Sequence, residues 1–209
     1  MKVIAFNGSP HADGTVARGI SVMVGELAKE GIETETVHVG GKAIHGCMAC
    51  MECWKLRKGC VVQGASVIGE AYEKMLAADG VILGSPVYYG GIAGTFKSFL
   101  DRMFFPSGLR MSYKVGATVV SLRRSGGIGV FHQLNNYFNL AQMVITPGIY
   151  WDVIHGNNAD EAAQDLEGIQ IMETQGRNMA WLIKTIAVGK EKVPPPPLLT
   201  ERQRTNFIR

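Results

Sequence analysis

Apolar runs alternate with amphipathic segments along most of the 209-residue chain. Short continuous apolar runs bounded by turn residues are typical of buried parallel strands, whereas apolar residues repeated every three or four positions are typical of helices. The pattern predicts five strands, at residues 2–7, 33–39, 80–85, 115–121 and 143–146. A helix is predicted between each pair of consecutive strands, and a last helix at about residues 160–187. Right-handed crossovers between such strands predict an α/β fold, a doubly wound five-stranded parallel sheet in a three-layer αβα arrangement.

Residues 40–65 interrupt this alternation, because they have no clear period and contain all four cysteines. Loops of this length are uncommon and are often functional. Pro194–Pro197 begin a stiff segment that leads into a polar end. We therefore predict one domain over residues 1–187 with a cysteine insert (residues 40–65), followed by a Pro-rich C-terminal tail (residues 188–209). The tail either wraps a neighbouring subunit or is a frayed terminus.

Composition excludes several classes of function. With 21 basic and 18 acidic residues the net charge is +3, too balanced to predict binding to nucleic acid or to a membrane surface. The first apolar run, about five residues long, is shorter than the core of a signal peptide, and no run is long enough for a transmembrane helix. We expect a cytoplasmic protein, in which thiols stay reduced and the cysteines form no structural disulfides.

Loop 1 (residues 8–15) follows the first predicted strand and precedes the first predicted helix. Ligands of open parallel sheets bind beyond the carboxyl ends of the strands, and helix N-termini attract anions. Gly8 permits a tight turn, Ser9 and Thr15 offer hydroxyl groups, and Gly14 exposes a backbone N–H. The loop lacks the lysine of a Walker sequence, which argues against nucleoside triphosphate hydrolysis. Its spacing alone fits a phosphate site and an ordinary β–α turn equally well.

Two further loops are predicted at the same sheet edge. Loop 2 (residues 85–91) carries Tyr88 and Tyr89 between a proline and glycines, and aromatic faces beside backbone amides suit a flat heteroaromatic ring. Loop 3 (residues 121–127) combines hydroxyl groups, arginines and glycines, which suit the polar edge of such a ring. The alternatives are tyrosines that pack beneath loop 2 and a solvated basic turn in loop 3.

The cysteines follow the spacing C-x2-C-x2-C-x6-C, at Cys47, Cys50, Cys53 and Cys60. Four closely spaced thiols in a reducing compartment suggest metal binding. Structural zinc sites usually separate two pairs of ligands by a longer segment, whereas this spacing suits a compact iron–sulfur cluster. Free or redox-active thiols and a zinc site remain the alternatives.

These motifs together resemble the NAD(P)H-dependent FMN reductases, which have a flavodoxin-like fold. The resemblance covers roughly residues 1–187 and rests on loop 1, loop 2 and the segment Phe96-Lys97-Ser98-Phe99-Leu100-Asp101-Arg102. Because of the cysteine insert, the chain is most similar to the iron–sulfur flavoproteins, in which this segment carries a [4Fe–4S] cluster. His11 stands where the family usually has arginine, and Thr15-Val16 stand where it has Asn-Thr. The resemblance therefore implies that phosphate binding depends more on backbone amides.

The resemblance implies an FMN-dependent oxidoreductase whose chemistry takes place on the flavin, so that no catalytic acid or base is required. Electrons would pass from NAD(P)H or a protein donor to a small acceptor, or through the cluster to a ferredoxin-like protein, in a homodimer or homotetramer. The alternatives are a flavodoxin-like electron carrier without substrate turnover and a binding module without flavin. The residues expected to contact the phosphate are Ser9, His11, Thr15 and Val16; those along the ring and ribityl chain are Pro86, Val87, Tyr88, Tyr89 and Gly90; those near the pyrimidine are Ser121, Arg123, Gly126 and Gly127; and the cluster ligands are Cys47, Cys50, Cys53 and Cys60.

Overall fold

The computed structural model describes residues 1–62 and 65–199, together with residues 201, 203, 205 and 207. Residues 63 and 64 of the predicted cysteine insert and Arg209 of the predicted tail lie outside the described residues. Within the described part of the chain, no helix is both long enough and apolar enough to cross a membrane.

One mixed sheet forms the centre of the molecule, with the strand order β2-β1-β3-β5-β6. The neighbouring strands on this path are parallel, β7 also pairs in parallel with β5, and β4 is antiparallel to β3. The strands are β1 (Lys2–Asn7), β2 (Glu33–His38), β3 (Gly80–Tyr88), β4 (Gly91–Ile92), β5 (Val115–Leu122), β6 (Val144–Ile145) and β7 (Val153–His155). The buried central strands β1, β3 and β5 carry the continuous apolar runs seen in the sequence.

Helices cover both faces of the sheet and enclose two hydrophobic clusters. One cluster lies between the sheet and helices α1 and α7, and the other lies between the sheet and helices α3, α4 and α5. The helices are α1 (Thr15–Lys29), α2 (Glu52–Lys55), α3 (Ala65–Ala77), α4 (Gly94–Ser107), α5 (Gly127–Leu140), α6 (Ala159–Ala162) and α7 (Leu166–Lys192), with a 3-10 turn at Gly108–Met111. The predicted doubly wound, three-layer α/β fold is confirmed.

The described residues form seven strands where the sequence predicted five, and one of the additional strands belongs to loop 2. Strand β3 continues beyond residue 85 to Tyr88 and turns back into β4 through Tyr89 and Gly90. Both turn residues have positive φ angles, 50° and 73°, as a two-residue type I′ hairpin requires. A two-residue strand has no period that a sequence pattern can show, so β4 was not predicted.

The second difference is at the sheet edge, where the strand predicted at residues 143–146 corresponds to β6 alone and β7 is an additional strand that was not predicted. Strand β6 pairs with Val115 and Gly116, and β7 pairs with Val120 through Leu122, while the chain between them leaves the sheet. Asp152 ends this excursion with a buried side chain, and an oxygen of its carboxyl group accepts a hydrogen bond of 2.6 Å from the Thr118 hydroxyl.

The predicted last helix is divided into two helices, α6 and α7. The side chain of Asn158 caps α6 and that of Asp165 caps α7, each by accepting a hydrogen bond from a backbone N–H of the first turn. Helix α7 continues past residue 187 to Lys192, and the proline segment that follows contacts the domain where the Tyr113 hydroxyl donates to the Pro196 carbonyl at 2.8 Å.

Candidate functional site

A cavity of about 640 Å³ opens beyond the carboxyl ends of the parallel strands. Its volume is in the range of sites that bind small molecules and cofactors, and its position at the strand ends is where open α/β sheets bind ligands. The lining residues come from loop 1, loop 2, loop 3 and a fourth loop (loop 4, residues 156–160): Ser9, His11, Asp13, Gly14, Thr15, Pro86, Val87, Tyr88, Ser121, Leu122, Arg123, Gly156, Asn157, Asn158, Ala159 and Asp160.

Asn7 fixes the shape of loop 1 from the last position of β1. Its side chain is buried, its Oδ1 accepts a hydrogen bond from the Ser9 N–H at 3.0 Å, and its Nδ2 donates to the Ala12 carbonyl at 3.1 Å. The Ser9 hydroxyl in turn accepts from the His11 N–H at 3.2 Å. Loop 1 is therefore held in one conformation before any ligand binds, which lowers the entropic cost of binding.

Loop 1 also packs closely against its neighbours. His38 Nε2 lies 2.8 Å from the Ser9 carbonyl oxygen, and the backbone N–H groups of Val39 and Gly40 both bond to the Asn7 carbonyl. A Cβ atom at Gly40 would overlap the backbone of Ser9, so only glycine permits this approach. The turn after β2 thus packs against loop 1 and helps to hold it in place.

The N-terminus of helix α1 opens into the cavity and fits an anionic group. Gly14 occupies the N-cap position without a side-chain cap, and the first turn contains no acidic residue. The unpaired N–H groups and the helix dipole together favour a phosphate at this point. The Val16 side chain is buried in the core, so this residue can offer only its backbone N–H.

The Thr15 hydroxyl faces loop 4. It lies 3.1 Å from the Gly156 carbonyl oxygen and 3.2 Å from that of Asn158, and as the only donor of the three it ties loop 4 to the start of α1. Because Thr15 is predicted to hold phosphate with its side chain, this arrangement shifts that expectation toward the backbone amides.

Replacing Thr15 with valine is expected to lower the free energy of unfolding by about 1–2 kcal/mol, because two carbonyl groups lose a nearly buried donor. Thermal or urea unfolding measures this loss. Thr15→Ser keeps the hydroxyl group and serves as the matched control, so equal destabilisation by both variants would contradict the assigned role of the hydrogen bonds.

Pro86, Val87 and Tyr88 form one wall of the cavity, and Arg123 contributes a cationic side chain to its lining. An apolar wall beside a cation fits a flat ring with a polar edge. Among the other residues predicted at this site, Val16 does not line the cavity, and neither do four residues of loops 2 and 3: Tyr89, Gly90, Gly126 and Gly127.

Those four residues have places in the fold that explain their absence. Tyr89 is fully exposed at the tip of the hairpin. Gly126 precedes α5 with φ 91°, and a Cβ there would lie 3.1 Å from Val87. A Cβ at Gly127 would lie 2.9 Å from Val153. The two glycines therefore allow loop 3 to pack against its neighbours, and Gly90 allows the turn.

Sequence reasoning missed Asn7 and loop 4. Asn7 was assigned only to a strand, and a single polar residue at a strand end gives little signal. Loop 4 begins with Gly156-Asn157-Asn158, a polar turn directly after β7. Recognising β7 as a strand would have identified this turn as a fourth loop at the same sheet edge.

The four cysteines differ in exposure. Cys47 and Cys50 are exposed, Cys60 is half-buried, and Cys53 is buried within the short helix α2; all are free thiols. In the described part of the chain, no group of three or more metal-ligating side chains is arranged to hold a metal ion. The four cysteines therefore share one segment of the chain, but their side chains are not arranged as a complete coordination sphere.

The chemistry of this donor set still fits a metal. Burial raises the pKa of the Cys53 thiol, and the charges of Cys60, Cys47 and Cys50 raise it further. Such a set of thiols releases protons most readily when a cation binds all of them.

The cysteine insert packs on helices α3 and α4. Trp54 donates its indole N–H to the Phe105 carbonyl at 3.2 Å, and a Cβ at Gly59 would lie 2.9 Å from the Tyr72 ring. A second cavity of about 430 Å³ adjoins the insert and has mainly apolar walls: Cys47, Trp54, Asp101, Phe104, Phe105, Gly108, Tyr137, Leu140 and Ala141. The exposed thiol of Cys47 thus lies beside an apolar surface.

Comparison with known proteins decides the family. The family model of NADPH-dependent FMN reductases matches residues 1–158. The chain belongs to this family. As a member of the NADPH-dependent FMN reductase family, it is also 30% identical over 194 residues to an iron–sulfur flavoprotein of Methanocaldococcus jannaschii, covering 89% of this chain and 99% of the relative. It is 27% identical to the iron–sulfur flavoprotein of Methanosarcina thermophila, covering 92% of this chain and 100% of the relative.

Solved structures show the same fold at low sequence identity. RosB with its bound intermediate 8-demethyl-8-formylriboflavin-5′-phosphate superposes with a TM-score of 0.71 at 14% identity, covering 100% of this chain and 94% of that one. A WrbA-like flavodoxin from Agrobacterium tumefaciens superposes with a TM-score of 0.58 at 14% identity, covering 88% of this chain and 97% of that one. These likenesses confirm the predicted flavodoxin-like fold.

Proposed function

We propose that this protein is an FMN-dependent oxidoreductase that takes electrons from NAD(P)H or a protein donor and passes them to a small or protein acceptor through a [4Fe–4S] cluster. The observation that carries the proposal is the combination, in one member of the FMN reductase family, of a cavity built from four strand-end loops and a four-cysteine segment. The named relatives that are iron–sulfur flavoproteins support the same combination.

The residues of the cavity fit FMN. The open N-terminus of α1 would bind the phosphate, with Ser9 and the N–H groups after Gly14 as donors. Pro86, Val87 and Tyr88 would cover the ring and exclude water from it, and Arg123 would contact its polar edge. When bound, FMN supplies hydride and single-electron chemistry, so the protein itself has only to bind and orient its partners.

In this proposal Cys47, Cys50, Cys53 and Cys60 hold the cluster. The exposure of Cys47 and Cys50 leaves one side of such a site accessible, which suits electron exchange with a ferredoxin-like partner. We also propose that the protein works in the cytoplasm, in keeping with its reduced thiols. We propose further that it forms a homodimer or homotetramer.

Anaerobic purification followed by an absorbance spectrum and assays of iron, sulfide and FMN tests the proposal. We expect about one FMN and about four iron atoms per chain. A Cys50→Ser variant is the control, because it should lose iron and retain FMN. Iron-free protein that retains FMN would contradict the cluster, and zinc in its place would identify the alternative metal site.

Steady-state oxidation of NADH and NADPH, with free FMN or a quinone as acceptor, separates an enzyme from an electron carrier. We expect turnover above the rate without protein. A flavin-loaded protein without turnover, but able to exchange electrons with a reduced ferredoxin, would identify the flavodoxin-like carrier.

A further inference from the structure

Arg102 is a buried cation directed at the cysteine insert. It lies on helix α4, and its side chain is 2% exposed, one of the largest fully buried side chains in the described chain. Arginine is almost never buried to this extent unless an anion or a set of hydrogen-bond acceptors compensates it. The groups around Arg102 therefore indicate the role of its charge.

Among the described residues, the guanidinium group of Arg102 makes three hydrogen bonds, all to the insert. Nε donates to the sulfur of Cys60 at 3.3 Å, Nη1 to the carbonyl oxygen of His45 at 3.3 Å, and Nη2 to the carbonyl oxygen of Val62 at 3.1 Å. His45 precedes the first cysteine and Val62 follows the last one. One side chain thus joins both ends of the four-cysteine segment and contacts one of its thiols.

These contacts give each of the three guanidinium nitrogens one acceptor but leave the charge of Arg102 uncompensated. In the part of the chain that the structure describes, no Asp or Glu carboxylate forms an ion pair with Arg102. The adjacent Asp101 pairs with Lys97 and accepts from the Tyr137 hydroxyl. A buried cation without a counter-ion is costly, and the sulfur of Cys60, which is in contact with Arg102, is able to carry negative charge.

We propose that Arg102 is a positioning residue of the metal site. It holds both ends of the insert by hydrogen bonds, and its positive charge partly balances the negative charge of the thiolate-ligated metal. The inference rests on the proposed function, because a cluster ligated by four thiolates is anionic whereas four free thiols are neutral. A nearby fixed cation stabilises the more negative, reduced form of the cluster. Removing it therefore makes the reduction potential more negative.

The test uses the full chain purified anaerobically, with three variants. Arg102→Gln removes the charge, Arg102→Lys keeps the charge with a different donor geometry, and Lys97→Gln removes an exposed cation from the same helix that contacts no cysteine. The measurements are iron per chain, the reduction potential of the cluster, and the rate of trypsin cleavage at the exposed insert residues Lys55, Arg57 and Lys58. Wild-type protein stripped of metal by a chelator is the reference for cleavage.

We expect Arg102→Gln to have a more negative potential than wild type and to be cut in the insert at least about tenfold faster than the metal-stripped wild type. Arg102→Lys should keep most of the potential and Lys97→Gln all of it. If Arg102→Gln does not fold, as judged by loss of FMN, the cleavage rate and the reduction potential of Arg102→Lys are compared with those of the wild type instead.

Two results would overturn the proposal. One is an unchanged potential together with an unchanged cleavage rate in Arg102→Gln; the other is an equal effect of Lys97→Gln. A wild-type protein that holds FMN but no metal would instead refute the proposed cluster, and with it the charge-balancing role of Arg102. In that case the cleavage rates alone would decide whether Arg102 holds the insert.

Discussion

Alanine in place of Gly40 is expected to weaken FMN binding about tenfold or more, because the added methyl group overlaps the backbone of loop 1. A Cβ at this position would collide with the carbonyl groups of Ser9 and Gly8. Backbone atoms have no alternative rotamer, so loop 1 has to move as a unit and the α1 amides lose their alignment. Fluorescence titration of the flavin-free protein with FMN measures the change.

Gly25→Ala is the matched control. Gly25 lies within helix α1, and a Cβ there would meet no atom within 4 Å. Because alanine favours a helix more than glycine does, this variant should be more stable by about 0.5–1 kcal/mol and bind FMN normally. Normal FMN affinity in Gly40→Ala would show that loop 1 can shift without disturbing the site.

Replacing Asp152 with asparagine is expected to remove a large pH dependence of stability. Burial raises the pKa of the Asp152 carboxyl from 3.8 to about 7, partly offset by the Thr118 hydroxyl and the Gln175 amide. The Gln175 amide atoms have no hydrogen-bond partner of normal geometry, so Thr118 is the direct side-chain partner of Asp152 among the described residues.

The sign of this pH dependence follows from which state, folded or unfolded, binds the proton of Asp152 more tightly. Because the folded pKa lies above the unfolded one, the native state holds the proton more tightly between pH 4 and pH 7. The contribution of Asp152 is therefore fully present below about pH 4 and is lost as the pH rises through about 7. The change from 3.8 to about 7 corresponds to at most roughly 4 kcal/mol in the free energy of unfolding.

Urea unfolding at several pH values, compared between wild type and Asp152→Asn, measures this contribution. The variant should gain on the wild type as the pH rises, and asparagine should still accept the Thr118 hydrogen bond. Glu167→Gln, an exposed carboxylate at the start of α7, should keep the wild-type pH profile. Parallel profiles for wild type and Asp152→Asn would contradict a protonated carboxyl in the fold.

Most of the fold was predictable because buried parallel strands leave continuous apolar runs. Strands β1, β3 and β5 each have six or more residues, and their buried side chains dominate the pattern. Strands β4, β6 and β7 have two or three residues each, which is too short for any period. The hairpin at loop 2 and the additional edge strand β7 therefore had to come from the structure.

The position of the site was predictable, and many of its contacts were not. Loops 1, 2 and 3 follow predicted parallel strands, so topology alone brings them to one edge. The Thr15 hydroxyl, by contrast, bonds to a carbonyl 141 positions away in the chain, and Arg102 contacts a thiol 42 positions away. Local sequence cannot indicate which polar group meets which partner over such separations.

The two edges of the sheet are protected against pairing with further strands. Strand β2 carries Glu33 and Glu35, which form ion pairs with Lys2 and Lys74 along one edge. At the opposite edge, β6 and β7 are separated by a segment that leaves the sheet. Charge and interruption are both ways in which proteins prevent amyloid-like growth at open edges. Pairing between the sheet edges of two copies of the chain is therefore disfavoured, and we expect any association between copies to use helical faces or loops.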